Sequence, residues 1–447
     1  MTLRALLVPG KRGARPSTCP WKTTLLCLAA VMPSVMAQNI LTPPPSSGPL
    51  LPPAVLEYQT NQASQMQVFA PAETAPPQPA HPFTLGPVAI HPHPLYQFLY
   101  GNGIESSPGE TQNTIVQEFS PGVLFDIGPH WSLDYTPTLM FYSSSQFRNA
   151  VDESVLLSWG SAFRNWFVSG SQSYASTSEP FVEIGGQTEE DTYSTTLSAS
   201  YKIGQKLSLD LGFNQNFDYF NTGQSPTNLL LGLANSRVWS TLDWLNYQFR
   251  PRLTAGLGIG FGYNQQQDSP DSIDEQYQAQ LNWRATDKTS FQLSGGLEDQ
   301  QYLSGDASSL LTPIFAATVQ YQPFAQTRIS VGANRTVSTG DFQDQTVEST
   351  TVTCDFNQRL LGRLFFDLSG SYTSDKYVAA LAGLSTGRSD NIYTMSPRLT
   401  IPFLKRGTAS VFYEYSQDSS SQTGFAAGSA AFAYATHQVG FEIGYTY

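Results

Sequence analysis

The chain has 447 residues, of which 13% are charged, 40% hydrophobic and 13% aromatic, with a formal net charge of -12. Soluble proteins average about 25% charged residues, and a nucleic-acid binder needs a basic face, so the acidic balance excludes that class. A mean hydropathy of -0.23 is too polar for a bundle of membrane helices.

The first 37 residues read as a targeting segment. Arg4, Lys11, Arg12, Arg15 and Lys22 form a positive stretch without an acid. Leu25 to Met32 is a short apolar run broken by Pro33, and Val35-Met36-Ala37 offers small residues for cleavage before Gln38. Eight apolar residues are too few to cross a bilayer, which takes about 20. Cys27 follows the bulky Leu26 and does not suit lipid attachment. With the leader gone, 18 Lys and Arg face 35 Asp and Glu, and Cys354 is left alone, which rules out an intrachain disulfide.

Residues 38–94 hold 14 Pro and no Lys or Arg. Such a stretch cannot build a core and reads as a periplasmic linker. His91-Pro92-His93-Pro94 falls at its end, where two His on a Pro-rich strip make at most a weak metal site. Solvated linker is the expected role.

From residue 95 to 447 the texture changes to alternation of apolar with polar or small residues. Leu253 to Tyr263, Tyr277 to Arg284 and Val439 to Tyr447 show it most clearly. A period of two places alternate side chains on opposite faces of a strand. Short connections fall at 128–130, 164–165, 204–206, 250–252, 286–287, 323–325, 361–362 and 404–406. Longer polar ones lie near 143–150, 178–189, 219–235, 266–274, 302–311, 339–346, 377–390 and 419–433. Short periplasmic turns alternating with long extracellular loops define a transmembrane β-barrel. A propeller blade has a similar period but fits four short strands into it.

The eight turns join sixteen strands, and a seventeenth follows at about 434–447. A rising strand over Leu95 to Ile104, with Gly103 to Asn113 as its outer loop, brings the total to about 18, with 16 as the alternative. The expected fold is therefore an all-β, antiparallel, up-and-down barrel. Trp239 to Trp244 fits neither parity and suggests a bulge.

Lipid requires the apolar parity to face out: Leu133, Tyr135, Leu139, Phe141, Leu257, Ile259, Leu281, Trp283, Val331, Phe356, Leu399, Val411 and Phe441. The opposite parity supplies the expected lumen-lining acids Glu118, Asp126, Asp134, Asp210, Glu298, Asp355, Asp367, Glu414 and Glu442. Its bases are Arg164, Lys202, Arg284, Arg328, Arg359 and Arg398. Nine acids against six bases tilt the wall acidic. Gly256, Gly258, Gly260 and Gly262 either open room inside the wall or permit sheet curvature.

Phe441, Ile443, Tyr445 and Tyr447 form an outward, aromatic-ended C-terminal run. It resembles the signal through which outer-membrane barrels engage their assembly machinery, although that signal usually ends in Phe. Leader, Pro-rich lead-in, hairpin pattern and aromatic end together resemble the β-barrel porin-2 family of Gram-negative outer membranes. The resemblance implies an outer-membrane location, lipid as neighbour, a channel role and no catalytic residues.

No cofactor or metal is expected. The acids of 189–191 and Asp268, Asp271 and Asp274 read as solvated loop rather than a Ca²⁺ site. His437 is the one His expected on a barrel strand, and without a nucleophile beside it no enzyme is expected. The function read from the sequence is passive diffusion of small hydrophilic solutes with weak cation preference. A polymer-export barrel and a plugged structural or adhesive barrel are the alternatives.

Overall fold

The computed structural model describes residues 83–107, 110–178, 180–181, 186–221, 233–267, 269–304, 309–340, 345–379, 388–404, 406–421 and 433–446. The leader and most of the Pro-rich stretch therefore lie outside the described residues. Alternation produces strands almost everywhere else. They are β1 (Val88–Ser107), β2 (Glu110–Ile127), β3 (Trp131–Tyr142), β4 (Ala150–Phe163), β5 (Trp166–Thr177), β6 (Glu189–Lys202), β7 (Leu207–Asn221), β8 (Ser236–Arg250) and β9 (Leu253–Gln266). Then follow β10 (Ser272–Arg284), β11 (Thr289–Tyr302), β12 (Leu310–Phe324), β13 (Thr327–Thr339), β14 (Gln345–Leu360), β15 (Leu364–Ala379), β16 (Ser389–Phe403), β17 (Gly407–Ser420) and β18 (Tyr434–Tyr445).

Each strand pairs antiparallel with its sequence neighbours, and β18 returns to β1 to close an 18-stranded barrel. The closing register runs from Leu95 opposite Gly444 to Gly101 opposite Gln438. All eight anticipated short turns sit at one rim. Gly128 and Gly362 occupy the left-handed region there (φ 63° and 76°), which glycine adopts without a Cβ penalty. Arg164, expected on the wall, is in one of these turns with φ 51°.

The burial pattern confirms two faces. Along β18 every second residue is buried and its neighbours exposed. The exposed set is large and apolar, as in Leu257 (70%), Val411 (59%), Phe261 and Trp283, while the buried set is polar, as in Gln97, Thr351 and Glu442. A protein with its apolar residues outside and its polar residues inside suits lipid around it and water within. Every outward residue read from the sequence falls on the exposed parity.

The first strand differs from expectation. It starts at Val88, so Val88 to Pro94 belong to the wall rather than to a linker, and it runs on to Ser107 through register shifts after Gly101 and Glu105. Proline misled the reading, and the ladder shows why proline is tolerated. Pro94 faces Pro121 in a pair that exchanges no ladder bonds, so the nitrogens of Pro92 and Pro94 point to the other edge of β1. Among the described residues, neither neighbour forms a ladder pair with His91 to Pro94 on that edge. A short arm, Phe83–Leu85, turns at Gly86 and covers β1 only up to Ile90, and β18 begins at Leu95.

At the next interface Pro121 meets Pro137, where each residue ought to donate. The β2–β3 ladder lapses between the Phe119–Leu139 and Val123–Tyr135 pairs. Inward side chains bridge the lapse. Ser120 and Thr138 share a hydroxyl bond of 2.9 Å, and His93 crosses over Gly122 to reach Asp134 at 2.8 Å. A Cβ on Gly122 would lie 2.0 Å from the His93 ring. We expect Gly122→Ala to cost about 1–3 kcal/mol, as overpacking does, and to cost clearly less in a His93→Ala background. Urea unfolding of the four proteins of this cycle in lipid vesicles measures the coupling, and equal costs in both backgrounds would place the strain elsewhere.

Candidate functional site: the inner wall

The inner wall is built by alternate residues of all eighteen strands. Glu118, Asp126, Asp134, Asp210, Arg284, Glu298, Arg328, Asp355, Arg359, Asp367, Arg398, Glu414 and Glu442 all have inward parity in the strand registers. Lys202 has it too, at the end of β6.

Many wall carboxylates are held by neutral donors. Asp210 accepts from Asn246 and Ser200, Glu298 from Gln276 at 3.1 Å, and Asp367 from Asn357 at 2.7 Å. Others are ion-paired. Arg398 binds Glu442, and its guanidinium lies 4.7 Å from the centre of the Phe412 ring. His91 stands 3.2 Å from Asp126, beside the His93–Asp134 pair. Arg359 donates to the Gly362 carbonyl at the short-turn rim, and Arg284 lies 3.7 Å from Asp287.

The room left by the four glycines of β9 is taken up by the wall itself. Side chains of the flanking strands lie over them. A Cβ on Gly258 would meet the Trp244 ring, one on Gly256 the Asn246 amide, and one on Gly262 the Asp274 carboxylate. The glycines let β8 and β10 fold their inward groups across β9. The expected bulge at Trp239 to Trp244 is instead a local inversion, since the register there is continuous. Leu242 and Trp244 turn in, Thr241 and Asp243 turn out, and Asp243 accepts from the Gly212 N–H where the β7–β8 ladder lapses.

The sequence reading missed inward acids near the long-connection rim, among them Asp152, Glu190, Asp218, Asp274, Asp375, Asp390 and Asp418. Continuing each strand's parity a few residues past its apolar segment would have found them. Asp218 is held by Asn216, Ser236 and Thr192, and Arg388 pairs with Asp390. Also missed was an inward apolar patch of Leu99, Val116, Met140 and Phe412, onto which Phe147 folds from the connection after β3. That connection is tied down through Arg148. Its backbone N–H donates to Gln187, its carbonyl accepts from Gln187, and its guanidinium meets Glu189 at 2.9 Å.

Phe441 stacks outside on Phe98 (5.3 Å) and lies 6.1 Å from Tyr96, with Ile443 and Tyr445 on the same face. Tyr447 and Asp268 are outside the described residues. Glu189 also accepts from Asn221, and Asp271 from Tyr263. His437 faces out between Tyr413, whose hydroxyl is 2.7 Å from Nδ1, and Tyr415. Among the described residues no three His, Cys, Asp or Glu stand together as a metal site.

No family model matches the chain, that of the porin-2 family included, and no curated protein is similar to it. Solved barrels share the fold loosely. OpdO of Pseudomonas aeruginosa is 14% identical over 80% of this chain and 97% of its own, with a TM-score of 0.43. OccAB3 of Acinetobacter baumannii is 9% identical over 81% and 100%, with a TM-score of 0.44. The FrpB iron transporter of Neisseria meningitidis is 9% identical over 80% and 82%, with a TM-score of 0.43. Likenesses at this level carry no argument about function.

The anchoring of Phe147 makes a measurable demand. Phe147→Ala removes the contact that seats the connection, so the peptide bond after Arg148 should open to protease more often. Since 1.4 kcal/mol is a factor of ten, we expect trypsin to cut there at least about tenfold faster in the folded barrel. Unchanged cleavage would show that the Gln187 and Glu189 tethers suffice.

Proposed function

We propose that this protein is a channel of the Gram-negative outer membrane that passes small hydrophilic solutes or ions, with weak cation preference. One observation carries the reading: a closed barrel with an apolar exterior and an inner wall rich in carboxylates held by neutral donors. Every backbone group inside lipid needs a partner, and closure provides it. The polar wall then offers water-borne solutes a path that lipid denies. The outward run of the C-terminal strand is the surface offered to the assembly machinery.

Conductance in planar bilayers tests the reading, with the full mature chain compared against one lacking residues 38–82. The deletion stops there because Val88 to Pro94 are wall. Steady current in both supports a diffusion channel, and no current in either refutes it. Current only after deletion supports a plugged barrel, a reading favoured by the loop that carries Phe147 into the inner wall. For topology, we expect tags near Gln187, Gln224 and Gly424 to be reached on intact cells and one near Lys206 to be shielded. The opposite pattern would invert the barrel.

Selectivity follows from the wall charge. A negative wall concentrates cations most at low salt, where the Debye length is about 30 Å at 0.01 M. We expect a reversal potential of cation sign across a salt gradient, shrinking as salt rises and reduced by Asp355→Asn with Asp367→Asn. Anion preference, or indifference to the double substitution, would mean that Arg328, Arg359 and Arg398 control the path.

A further inference from the structure

The wall charges are sorted along the barrel axis. Asp152, Glu190, Asp218, Asp274, Asp375 and Asp418 all face inward, each within the last five residues of its strand at the long-connection rim. They belong to β4, β6, β7, β10, β15 and β17, so they form a collar around much of the circumference. The inward bases lie at the other end. Lys202 and Arg284 are the last residues of β6 and β10, Arg328 is the second of β13, and Arg359 is the last but one of β14. Lys206, Arg252, Lys288, Arg363 and Arg406 lie in or beside the short turns and add to the same rim.

Several exceptions are consumed by partners. At the acidic rim, Arg148 pairs with Glu189, Arg335 with Glu348 and Arg388 with Asp390. At the basic rim, Asp287 pairs with Arg252. Pairing offsets part of the minority sign at each end. Asp210 and Asp367, the fourth residues of β7 and β15, stay near the basic rim on neutral donors, so the contrast there rests on the larger number of bases. Asp218 and Asp274 in the collar are held by Asn and Ser, which bring no counter-charge.

We infer that the channel is a rectifier, passing more current when the long-connection side is positive. This rests on the channel reading. The acidic half carries current almost wholly as cations, while the half near the basic rim shares it with anions moving the opposite way. When cations are driven in from the acidic rim, both ions converge where the two halves meet, salt accumulates there and conductance rises. The reverse field depletes the same region. The effect needs charge unscreened across the pore, so it belongs to low salt.

The test is the current–voltage curve of the full chain in symmetric potassium chloride. Insertion direction is read from avidin binding to a biotin on Ser145→Cys in a Cys354→Ser background. We expect the favoured polarity to carry at least roughly 1.5 times the reverse current at 0.1 M. At 1 M, where the Debye length is about 3 Å, the curve should be nearly straight. Replacing Asp152, Asp218, Asp274 and Asp418 together by Asn should straighten the curve at 0.1 M. If that variant does not insert, the salt series in the unsubstituted collar decides. Current steps with a straight curve at 0.1 M, the opposite polarity, or asymmetry that persists at 1 M overturn the inference and leave a channel standing. Absence of any current steps overturns the channel reading as well.

Discussion

The pairing of β18 with β1 is the interaction on which the rest of the barrel depends. An open sheet in lipid would leave a row of backbone donors and acceptors without partners, each costing several kcal/mol. The seam is short, from Leu95–Gly444 to Gly101–Gln438, and it is reinforced outside by Phe441 packed on Phe98. Below it no described residue forms a ladder pair on that side of β1, and there the chain places Pro92 and Pro94, which have no N–H to leave unpaired. The arm Phe83–Leu85 then takes up the remaining edge near Val88. Pro92 and Pro94 sit in the wall where their ring nitrogens face no ladder partner among the described residues.

Closure also makes parity absolute. A slip of one residue would turn the carboxylates of a strand into lipid, so register is strongly specified wherever both faces have demands. The stretch around Trp244 tests that rule. Leu242 and Trp244 turn inward and Asp243 outward, against the chemistry of each side. The cost is contained by local partners: Gly258 makes room for the indole, and the Asp243 carboxylate occupies the N–H that the lapsed ladder leaves free on Gly212.

Parity and turn chemistry are what made the fold legible. Gly128-Pro129, Leu361-Gly362 and their counterparts mark turns by local preference, and alternation such as Leu257-Gly258-Ile259 reports two-sided solvent directly. The beginning of β1 was hidden because proline signals coil unless the neighbouring edge is known. Phe147 was hidden because a single aromatic in a polar connection looks like any other. The reach of His93 to Asp134 over Gly122 was hidden because it joins strands that are not adjacent. Sequence spacing carries pairwise register, and it does not carry contacts that skip a strand.

The way the carboxylates are held matters more than their number. A lumen acid paired with Arg contributes little field, because the dipole of the pair decays quickly and water screens the rest. An acid held by Asn, Gln, Ser or Thr is fixed in place by donors that bring no counter-charge. Asp210, Asp218, Asp274, Glu298 and Asp367 are of this second kind. Glu442 is of the first, with Arg398 as partner, on β18 at the seam. Other ion pairs, Arg335–Glu348 and Arg388–Asp390, lie away from the seam, while neutral donors hold the acids of the second kind. The barrel's amide-rich strands, with Asn216, Asn246, Asn264, Gln276 and Asn357 each donating to a carboxylate, supply rigidity without cancelling charge. That arrangement explains how a chain with so few charged residues can keep an acidic interior organised.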